Sequence, residues 1–252
     1  VAELSIRQFR SVHTEVCQMN TNEILKFLEK EIHSVIMATV DDNGLPITCA
    51  IDIMDSNESG LYFLTAKGKG FYDRLKKRGY AALTGMKGSD TLSCVAISVR
   101  GKVKEIGRES LQRLFEKNPY MNEIYPTEQT QQALTIFWLY EGSGEWFDLS
   151  KKPIVRTAFT VGNPQKEVQG YEITQKCIGC KVCQTVCPQN CIDFTGIPTA
   201  IRTCQGTLSL KALTEPCNND TRQLMAVIKQ ENCLHCGNCF TVCPQKAVVR
   251  RG

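Results

Sequence analysis

The stretch 177-CIGCKVCQTVCP-188 carries four cysteines, and the stretch 233-CLHCGNCFTVCP-244 repeats their spacing. In both, the order is C-x2-C-x2-C-x3-C-P, so one rule places eight of the 14 cysteines in this chain of 252 residues. Closely spaced thiols serve disulfide frameworks, zinc sites or iron–sulfur clusters. The choice among these three uses decides the fold of the C-terminal third of the chain.

The spacing favours iron–sulfur clusters. Disulfide frameworks are typical of short secreted chains, whereas this chain is long and its first residues, VAELSIRQFRSVH, lack the apolar core of an export signal. A zinc site usually combines two separate C-x2-C pairs in one tetrahedron. Each motif has three thiols in one tight loop, a fourth thiol after three further residues, and then a proline. This is the spacing of bacterial two-cluster ferredoxins. Residues 171–252 therefore resemble such a ferredoxin.

This resemblance implies two 4Fe–4S clusters with crossed ligation. The first three cysteines of each motif hold one cluster, and the fourth reaches the cluster of the other motif. The predicted ligands of one cluster are Cys177, Cys180, Cys183 and Cys243. The predicted ligands of the other cluster are Cys233, Cys236, Cys239 and Cys187. Gly179 and Gly237 let backbone N–H groups approach the clusters, because glycine reaches conformations that other residues avoid.

The connection between the two motifs is longer than a compact ferredoxin needs. The last cysteine of the first motif and the first cysteine of the second are 46 positions apart. This excess predicts an insertion at about residues 203–226. Cys204 and Cys217 lie in it without a third ligand nearby, so they are interpreted as free thiols. Cys191, just after the first motif, is interpreted as a packed free thiol.

The composition of the chain limits the classes of partner that are predicted for it. No apolar run approaches the 18 residues of a membrane span, so no membrane partner is predicted. The formal charge is +4, and two oxidised clusters with their thiolates, each at about −2, bring the protein close to neutrality. Overall charge therefore predicts no nucleic-acid partner. Fourteen cysteines without an export signal indicate a reducing compartment and a cytoplasmic location.

Residues 20–150 have a different pattern, with hairpin-linked strands and a few helices. Asn20 and Glu23 form a capping-box pattern that opens a helix of about 12 residues. Asn43-Gly44 predicts a hairpin turn, and Gly79 ends the helix FYDRLKKRG. ALTIFWLYE and GEWFDLS are predicted as two closing strands, and TLSCVAISVRGKVKEI as one long bent strand. The pattern predicts an α+β domain built on an antiparallel barrel, preceded by an extension at 1–19 and followed by a linker at 151–170.

The barrel segment resembles the split-barrel flavoproteins related to pyridoxamine phosphate oxidase. The resemblance rests on 38-ATVDDNGLPITCAID-52, 61-LYFLTAKGKGFYDRLKKRGYAAL-83 and 144-GEWFDLS-150. It implies an antiparallel FMN-binding split barrel and a homodimer, with support for the dimer from the apolar strands ALTIFWLYE and TLSCVAISV. The chain departs from the oxidase at Cys49, Met54 and Phe71, which stand where the oxidase has basic residues.

A phosphate site is predicted where strand LYFLT leads into helix FYDRLKKRG. Glycines at 68 and 70 free the backbone just before the helix N-terminus, where N–H groups and the helix dipole favour an anion. Thr65, Lys67 and Lys69 are therefore predicted to bind the FMN phosphate. Lys76 and Lys77 are interpreted as a solvated helix end, where cations are favourable.

The combination predicts a converter between one-electron and two-electron chemistry. The leading hypothesis is an iron–sulfur flavoprotein oxidoreductase that takes electrons from a donor such as a ferredoxin and reduces a small-molecule acceptor at FMN. No G-x-G-x-x-G opens a βαβ unit, so a built-in nicotinamide domain is not predicted. One alternative is a non-catalytic electron carrier or redox sensor whose barrel is a dimerisation scaffold. Another is a barrel that holds haem or a different tetrapyrrole.

Overall fold

A computed structural model describes residues 19–164, 170–197 and 223–251. Six antiparallel strands of the first range close into a barrel in the order β3-β2-β1-β4-β5-β6, and pairing of β3 with β6 completes the ring. The strands are β1 Ser34–Val40, β2 Pro46–Asn57, β3 Gly60–Ala66, β4 Tyr80–Lys87, β5 Val95–Gly107 and β6 Leu134–Asp148. A seventh strand, β7 Val155–Val161, pairs with the second half of β6. The predicted α+β barrel architecture is confirmed.

Strand β6 closes the barrel because it pairs with β5 along one edge and with β3 along the other. The second edge serves two partners in turn. Residues Leu134 to Leu139 pair with β3, and residues from Gly142 onward pair with β7. A Cβ on Gly101 of β5 would come within 2.4 Å of the carbonyl oxygen of Glu141, so glycine is needed at this close approach. The two closing strands expected from the sequence are therefore one bent strand. The predicted bend in β5 is also present, with a register shift after Lys102.

Helices lie outside the ring and their ends follow local chemistry. The helices of this part are α1 Thr21–Phe27, α2 Gly70–Arg78, α3 Leu111–Lys117, α4 Met121–Ile124 and α5 Glu128–Gln131. The predicted capping box of α1 is confirmed, since Asn20 Oδ1 accepts from Glu23 N at 3.0 Å and Glu23 Oε2 accepts from Asn20 N at 2.8 Å. A π-helical turn, Leu28–Ile32, continues α1. Gly79 ends α2 with a left-handed φ of 60°.

The C-terminal part is an internal repeat. Its elements are β8 Gly170–Ile173, α6 Val182–Thr185, β9 Ile192–Ile197, β10 Gln223–Ile228, α7 Asn238–Val242 and β11 Val248–Arg251. Strand β8 pairs with β11, and β9 pairs with β10. Residues 56 positions apart share the left-handed conformation, in the pairs Gly179 and His235, Lys181 and Gly237, and Asn190 and Lys246. The two cysteine motifs therefore lie in two copies of one fold.

Several sequence-based boundaries change. The expected linker at 151–170 contains β7, so much of it belongs to the sheet of the barrel. Met19, the end of the expected extension, packs against the barrel core, and the rest of 1–19 lies outside the described residues. Residues 223–226 of the expected insertion belong to β10, while Cys204 and Cys217 lie outside the described residues. No helix within the described ranges is long and apolar enough to cross a membrane.

Candidate metal centres and anion-binding site

Two sets of four thiols line two small cavities. The first cavity is lined by Cys177, Cys180, Cys183 and Cys243. The second cavity is lined by Cys187, Cys233, Cys236 and Cys239. Each set takes three thiols from one motif and the fourth thiol from the other motif. The structure therefore brings together the thiols that the sequence interpretation grouped.

Backbone N–H groups point at sulfurs in both halves. Ala247 N donates to Cys243 Sγ at 3.2 Å and Ala226 N donates to Cys177 Sγ at 3.5 Å around the first cavity. Around the second cavity, His235 N donates to Cys233 Sγ at 3.4 Å. Such donors stabilise negative charge on thiolates, which an iron–sulfur cluster requires of its ligands. The donor set and its surroundings therefore fit two 4Fe–4S clusters.

The two glycines predicted to open the backbone lie where a side chain would clash. Gly179 and Gly237 have φ values of 69° and 82°, in the left-handed region. A Cβ on Gly179 would lie 2.6 Å from the carbonyl oxygen of Leu224, and a Cβ on Gly237 would lie 2.8 Å from Tyr171 Oη. The loops of both motifs are thus held tightly against the strands behind them.

Burial controls the ionisation of the thiols before any metal binds. Desolvation, with the nearby Cys233 thiol, raises the pKa of Cys239 to about 11, and desolvation raises the pKa of Cys183 as well. Cys180 and Cys236 are exposed. Metal binding must therefore remove protons from the buried members of each set.

A fifth thiol, Cys191, lines the second cavity. The sequence interpretation treated it as a packed free thiol. It is 3% exposed, and its Sγ lies 3.4 Å from Cys187 Sγ. Alignment of the two motifs would have drawn attention to it, because the equivalent position, 56 residues later, is Ala247.

The second cavity is the one that contacts the barrel sheet. Gln189, which lines this cavity, accepts a 3.0 Å hydrogen bond from Ile154 N through Oε1. Asn232 Nδ2 donates to Ile154 O at 3.3 Å. Desolvation is the main cause that lowers the pKa of the His235 imidazole, and the charge of Arg156 on β7 lowers it further. The two residues therefore lie near each other. The surroundings of Cys187 and Cys233 therefore form the junction with the barrel.

The predicted anion site lies between β3 and α2. Thr65 is 3% exposed, and its Oγ1 has no hydrogen-bond partner among the described residues. Lys69 precedes the first residue of α2 and offers the helix no side-chain cap. Within the described ranges, Lys67 and Lys69 make no ion pair, whereas Lys76 binds Glu105 at 3.0 Å. A buried hydroxyl, an uncapped helix end and two free cations are thus close together in the chain, and they suit a phosphate.

Arg74 adds a cation that the sequence interpretation did not select. Its Nε donates to Thr39 Oγ1 at 2.8 Å. Burial raises the pKa of Cys49, and the charges of Arg74 and Lys69 act against that rise, so both cations lie near this thiol. The resemblance stated above implies a basic residue at the place of Cys49. The Arg74 guanidinium of α2 lies near this thiol.

The other two departures from the oxidase are apolar core positions. Met54 is 2% exposed and packs with the cluster beneath α3, whereas Phe71 is 6% exposed and packs on the barrel core. Neither side chain can replace the charge of a basic residue. Any anion at this edge depends on the cations of the β3–α2 segment.

Comparison with known proteins assigns both parts of the chain. Residues 21–140 match the family model described as pyridoxamine 5'-phosphate oxidase, and residues 176–247 match the model of the 4Fe-4S dicluster domain. The chain joins a pyridoxamine phosphate oxidase-like split barrel to a 4Fe–4S dicluster domain.

Individual relatives cover one domain each. Over 75 residues, 30% of this chain, the sequence is 32% identical to one component of an ion-translocating oxidoreductase complex from Methanosarcina acetivorans, and it spans 18% of that protein. Among solved structures, a NimC/NimA family protein from Clostridium acetobutylicum is 18% identical, with a TM-score of 0.46 over 55% of this chain and 90% of that one. A heme binding protein from Mycobacterium smegmatis is 11% identical, with a TM-score of 0.44 over 56% and 59% of the two chains.

Proposed function

We propose that this protein is an iron–sulfur flavoprotein oxidoreductase. It takes low-potential electrons from a donor such as a ferredoxin, and it reduces a small-molecule acceptor at FMN in the split barrel. Bound 4Fe–4S clusters exchange electrons singly and bound FMN can exchange one or two, so the pair supplies one-to-two-electron conversion. The observation that carries the proposal is the pair of crossed four-thiol sets, one of which adjoins the barrel.

The eight motif cysteines are the proposed cluster ligands. Around the first cavity, thiolates come from one loop and from Cys243, and Ala247 N stabilises the negative charge on that sulfur. Around the second cavity, the set is completed by Cys187. Crossed ligation ties both halves of the repeat to both clusters, so loss of the fourth thiol of a motif affects the cluster of the other motif.

The proposed direction of electron transfer follows from the contact between the second cavity and the barrel. The second cavity contacts the barrel through Gln189 and Asn232, so the cluster there is the proposed neighbour of the flavin. The first cavity, lined by Ile178, Lys181 and Gln245, lies at the opposite motif and is the proposed entry point for the donor. Exposed Ile178 and exposed Lys181 offer an apolar and a cationic contact there.

The β3–α2 segment is the proposed holder of the FMN phosphate. Thr65 Oγ1 donates a hydrogen bond to it, and Lys67 and Lys69 supply charge-assisted hydrogen bonds. Arg74 provides a further positive charge near Cys49. These groups replace the basic residues that the oxidase carries elsewhere.

A homodimer through the outer face of β1, β2 and β4 completes the proposal. The apolar residues of the strands that first suggested a dimer, such as Ile97 and Phe137, are buried inside the barrel and cannot form an interface. The exposed apolar side chains Ile36, Val40, Tyr80 and Met86 lie on the other face instead. A reducing compartment, and with it a cytoplasmic location, suits the many cysteines.

A non-catalytic electron carrier is the second candidate. The observation in its favour is that Met54 and Phe71 are buried apolar residues where the oxidase has basic ones. In that function the barrel serves for dimerisation alone, and Thr65, Lys67 and Lys69 bind no cofactor.

The test is cofactor analysis of protein purified without oxygen. Two clusters per chain give about eight iron and about eight sulfide, and denaturation releases FMN. A cluster spectrum without releasable flavin supports the carrier, and a Soret band supports a tetrapyrrole in the barrel. About four iron, or stoichiometric zinc, would refute the two-cluster assignment.

A further inference from the structure

The two cluster cavities differ in their number of thiols. The internal repeat aligns the Cys187 loop with the Cys243 loop, and the two residues that donate a backbone hydrogen bond to these sulfurs are Cys191 and Ala247. The distances, 3.4 Å and 3.2 Å from N to Sγ, are nearly the same. Both side chains are buried, at 3% and 1% exposure. The second cavity therefore has a thiol where the first has a methyl group.

The extra thiol lies among the sulfurs of the second set. Cys191 Sγ is 3.4 Å from Cys187 Sγ, within the range of an S–H···S hydrogen bond. Cys191 also lines the same cavity as Cys233. Cys187 and Cys233 are proposed ligands of the same cluster, so a proton on Cys191 has the Cys187 thiolate as its acceptor. Among the residues that line the first cavity, no fifth thiol is present.

We propose that Cys191 is a hydrogen-bond donor that makes the two clusters unequal, raising the reduction potential of the barrel-facing one. It binds no iron. Hydrogen bonds to the sulfurs are one of the protein's means of setting cluster potential. Reduction adds negative charge to the cluster and its thiolates, so a donor stabilises the reduced form more than the oxidised form.

The direction of this effect matches the junction. The second cavity contacts the barrel through Gln189 and Asn232. Neither of these residues lines the first cavity. A higher potential at the barrel-facing cluster favours transfer of an electron inward from the entry cluster. This inference rests on the proposed function, because it requires two clusters in the crossed ligation.

Three variants test the inference. Cys191→Ala copies the residue of the other half and removes the donor. Cys191→Ser keeps a donor of similar size. Ala247→Cys places a thiol beside Cys243 and serves as the matched gain of function. Each protein is reconstituted without oxygen, analysed for iron and sulfide, and titrated by redox potentiometry followed by electron paramagnetic resonance.

The expected result is a shift of one of two reduction steps. Cys191→Ala lowers the reduction potential of the barrel-facing cluster. The expected shift is a three- to tenfold change in the equilibrium constant, which corresponds to about 30–60 mV for one electron. Cys191→Ser retains most of the native potential. Ala247→Cys raises the reduction potential of the cluster in the first cavity, so the two reduction steps move closer together. Iron stays at about eight per chain throughout.

Three outcomes overturn the inference. If Cys191→Ala leaves both potentials unchanged, or if Cys191→Ser shifts the potential as far as alanine does, then hydrogen-bond donation is not the cause. If Cys191→Ala loses iron, then Cys191 is itself a ligand. Native protein that assembles no clusters would instead refute the proposed function, and the iron and sulfide analysis detects that case separately.

Discussion

Arg113 Nη1 lies 2.7 Å from Oδ2 of Asp55, a carboxylate with a side chain only 3% exposed. Lys117 binds the other oxygen of Asp55 and lies 3.5 Å from Oε1 of Glu29, which is also buried. Asp55 follows a register shift in β2, and both cations come from α3. A buried ionic network therefore holds α3 on the barrel at the place where β2 bends.

The first prediction concerns this network. Lys117→Met leaves two buried carboxylates with one cation fewer, although Arg113 still pairs with Asp55 and Lys30 still pairs with Glu29. We therefore expect it to lower the free energy of unfolding by roughly 1.5–3 kcal/mol, the range for a hydrogen bond to a charged group. Urea unfolding followed by tryptophan fluorescence measures the change. Both tryptophans of the chain, Trp138 and Trp146, lie in β6 and report on the barrel.

Lys77→Met is the matched control. Lys77 lies 2.6 Å from Oδ1 of Asp42, but both side chains are exposed, so solvent screens the pair. We expect its unfolding midpoint to stay within experimental error of the native one. Equal losses in the two variants would mean that the buried network is no stronger than a surface ion pair.

The second prediction is a pH dependence at Glu29. Burial tends to raise the pKa of this carboxyl, but hydrogen bonds from Lys30 and Ser56 and the charge of Lys117 outweigh burial and lower it below 4.5. A carboxyl with a lowered folded-state pKa adds stability above its unfolded pKa, and that stability is lost as pH falls through the folded value. We therefore expect Glu29→Gln to be less stable than native at neutral pH. The gap between the two unfolding midpoints should close in acid, and a gap independent of pH would contradict the prediction.

Local chemistry made part of this structure predictable. The capping box at Asn20 and the helix end at Gly79 depend on neighbours in the chain, so the sequence contains all the information. The crossed thiol sets were predictable for a different reason: the spacing resembles that of two-cluster ferredoxins, and this resemblance implies that the two loops exchange their fourth ligand.

Features set by distant contacts were missed. The sequence analysis predicted two closing strands on either side of residues 142–143, but Gly142 lies inside the single strand β6, where the carbonyl oxygen of Arg100 would lie 2.2 Å from a Cβ. Strand β7 was taken for a linker because prolines and glycines flank it, although it pairs along β6. The environment of Cys191 depends on Cys233, far away in the chain. Only the folded chain brings such partners together.

The third prediction tests the crossed ligation. Cys187→Ser should damage the cluster in the loop of Cys233, Cys236 and Cys239, because Cys187 lines their cavity. Cys243→Ser is the mirror control and should damage the cluster of the first motif. Electron paramagnetic resonance of the reduced proteins distinguishes the two clusters. Loss of the first-motif signal in Cys187→Ser would show that each motif holds its own cluster.

The fourth prediction tests the dimer face. Ile36 is 54% exposed and pairs with Ala50 on one side and Thr84 on the other, at the centre of the proposed interface. Ile36→Glu places a charge there, which costs desolvation in any dimer, and we expect light scattering to give a monomer. Leu92→Glu is the control, since Leu92 is 75% exposed in the short 3-10 turn before β5. A native protein that is already monomeric at micromolar concentration would contradict the proposal.

The last prediction tests the flavin phosphate. The double variant Lys67→Ala, Lys69→Ala removes two charge-assisted hydrogen bonds, each worth roughly 1.5–3 kcal/mol to a charged group. Even about 3 kcal/mol in total weakens FMN binding about a hundredfold, because each 1.4 kcal/mol is about tenfold. Riboflavin, which has no phosphate, should lose much less affinity. Equilibrium titration of flavin fluorescence measures both ligands, and iron analysis checks that the clusters remain.

The control for this prediction is the double variant Lys76→Ala, Lys77→Ala. It removes the same total charge from α2, the helix that directly follows the test pair, but these lysines already bind Glu105 and Asp42. We expect it to keep nearly native FMN affinity. An equal loss in test and control would mean that only the overall charge of α2 matters. Unchanged FMN affinity in the test variant would place the phosphate elsewhere, and Arg74→Ala would then show whether the cation beside Cys49 holds it.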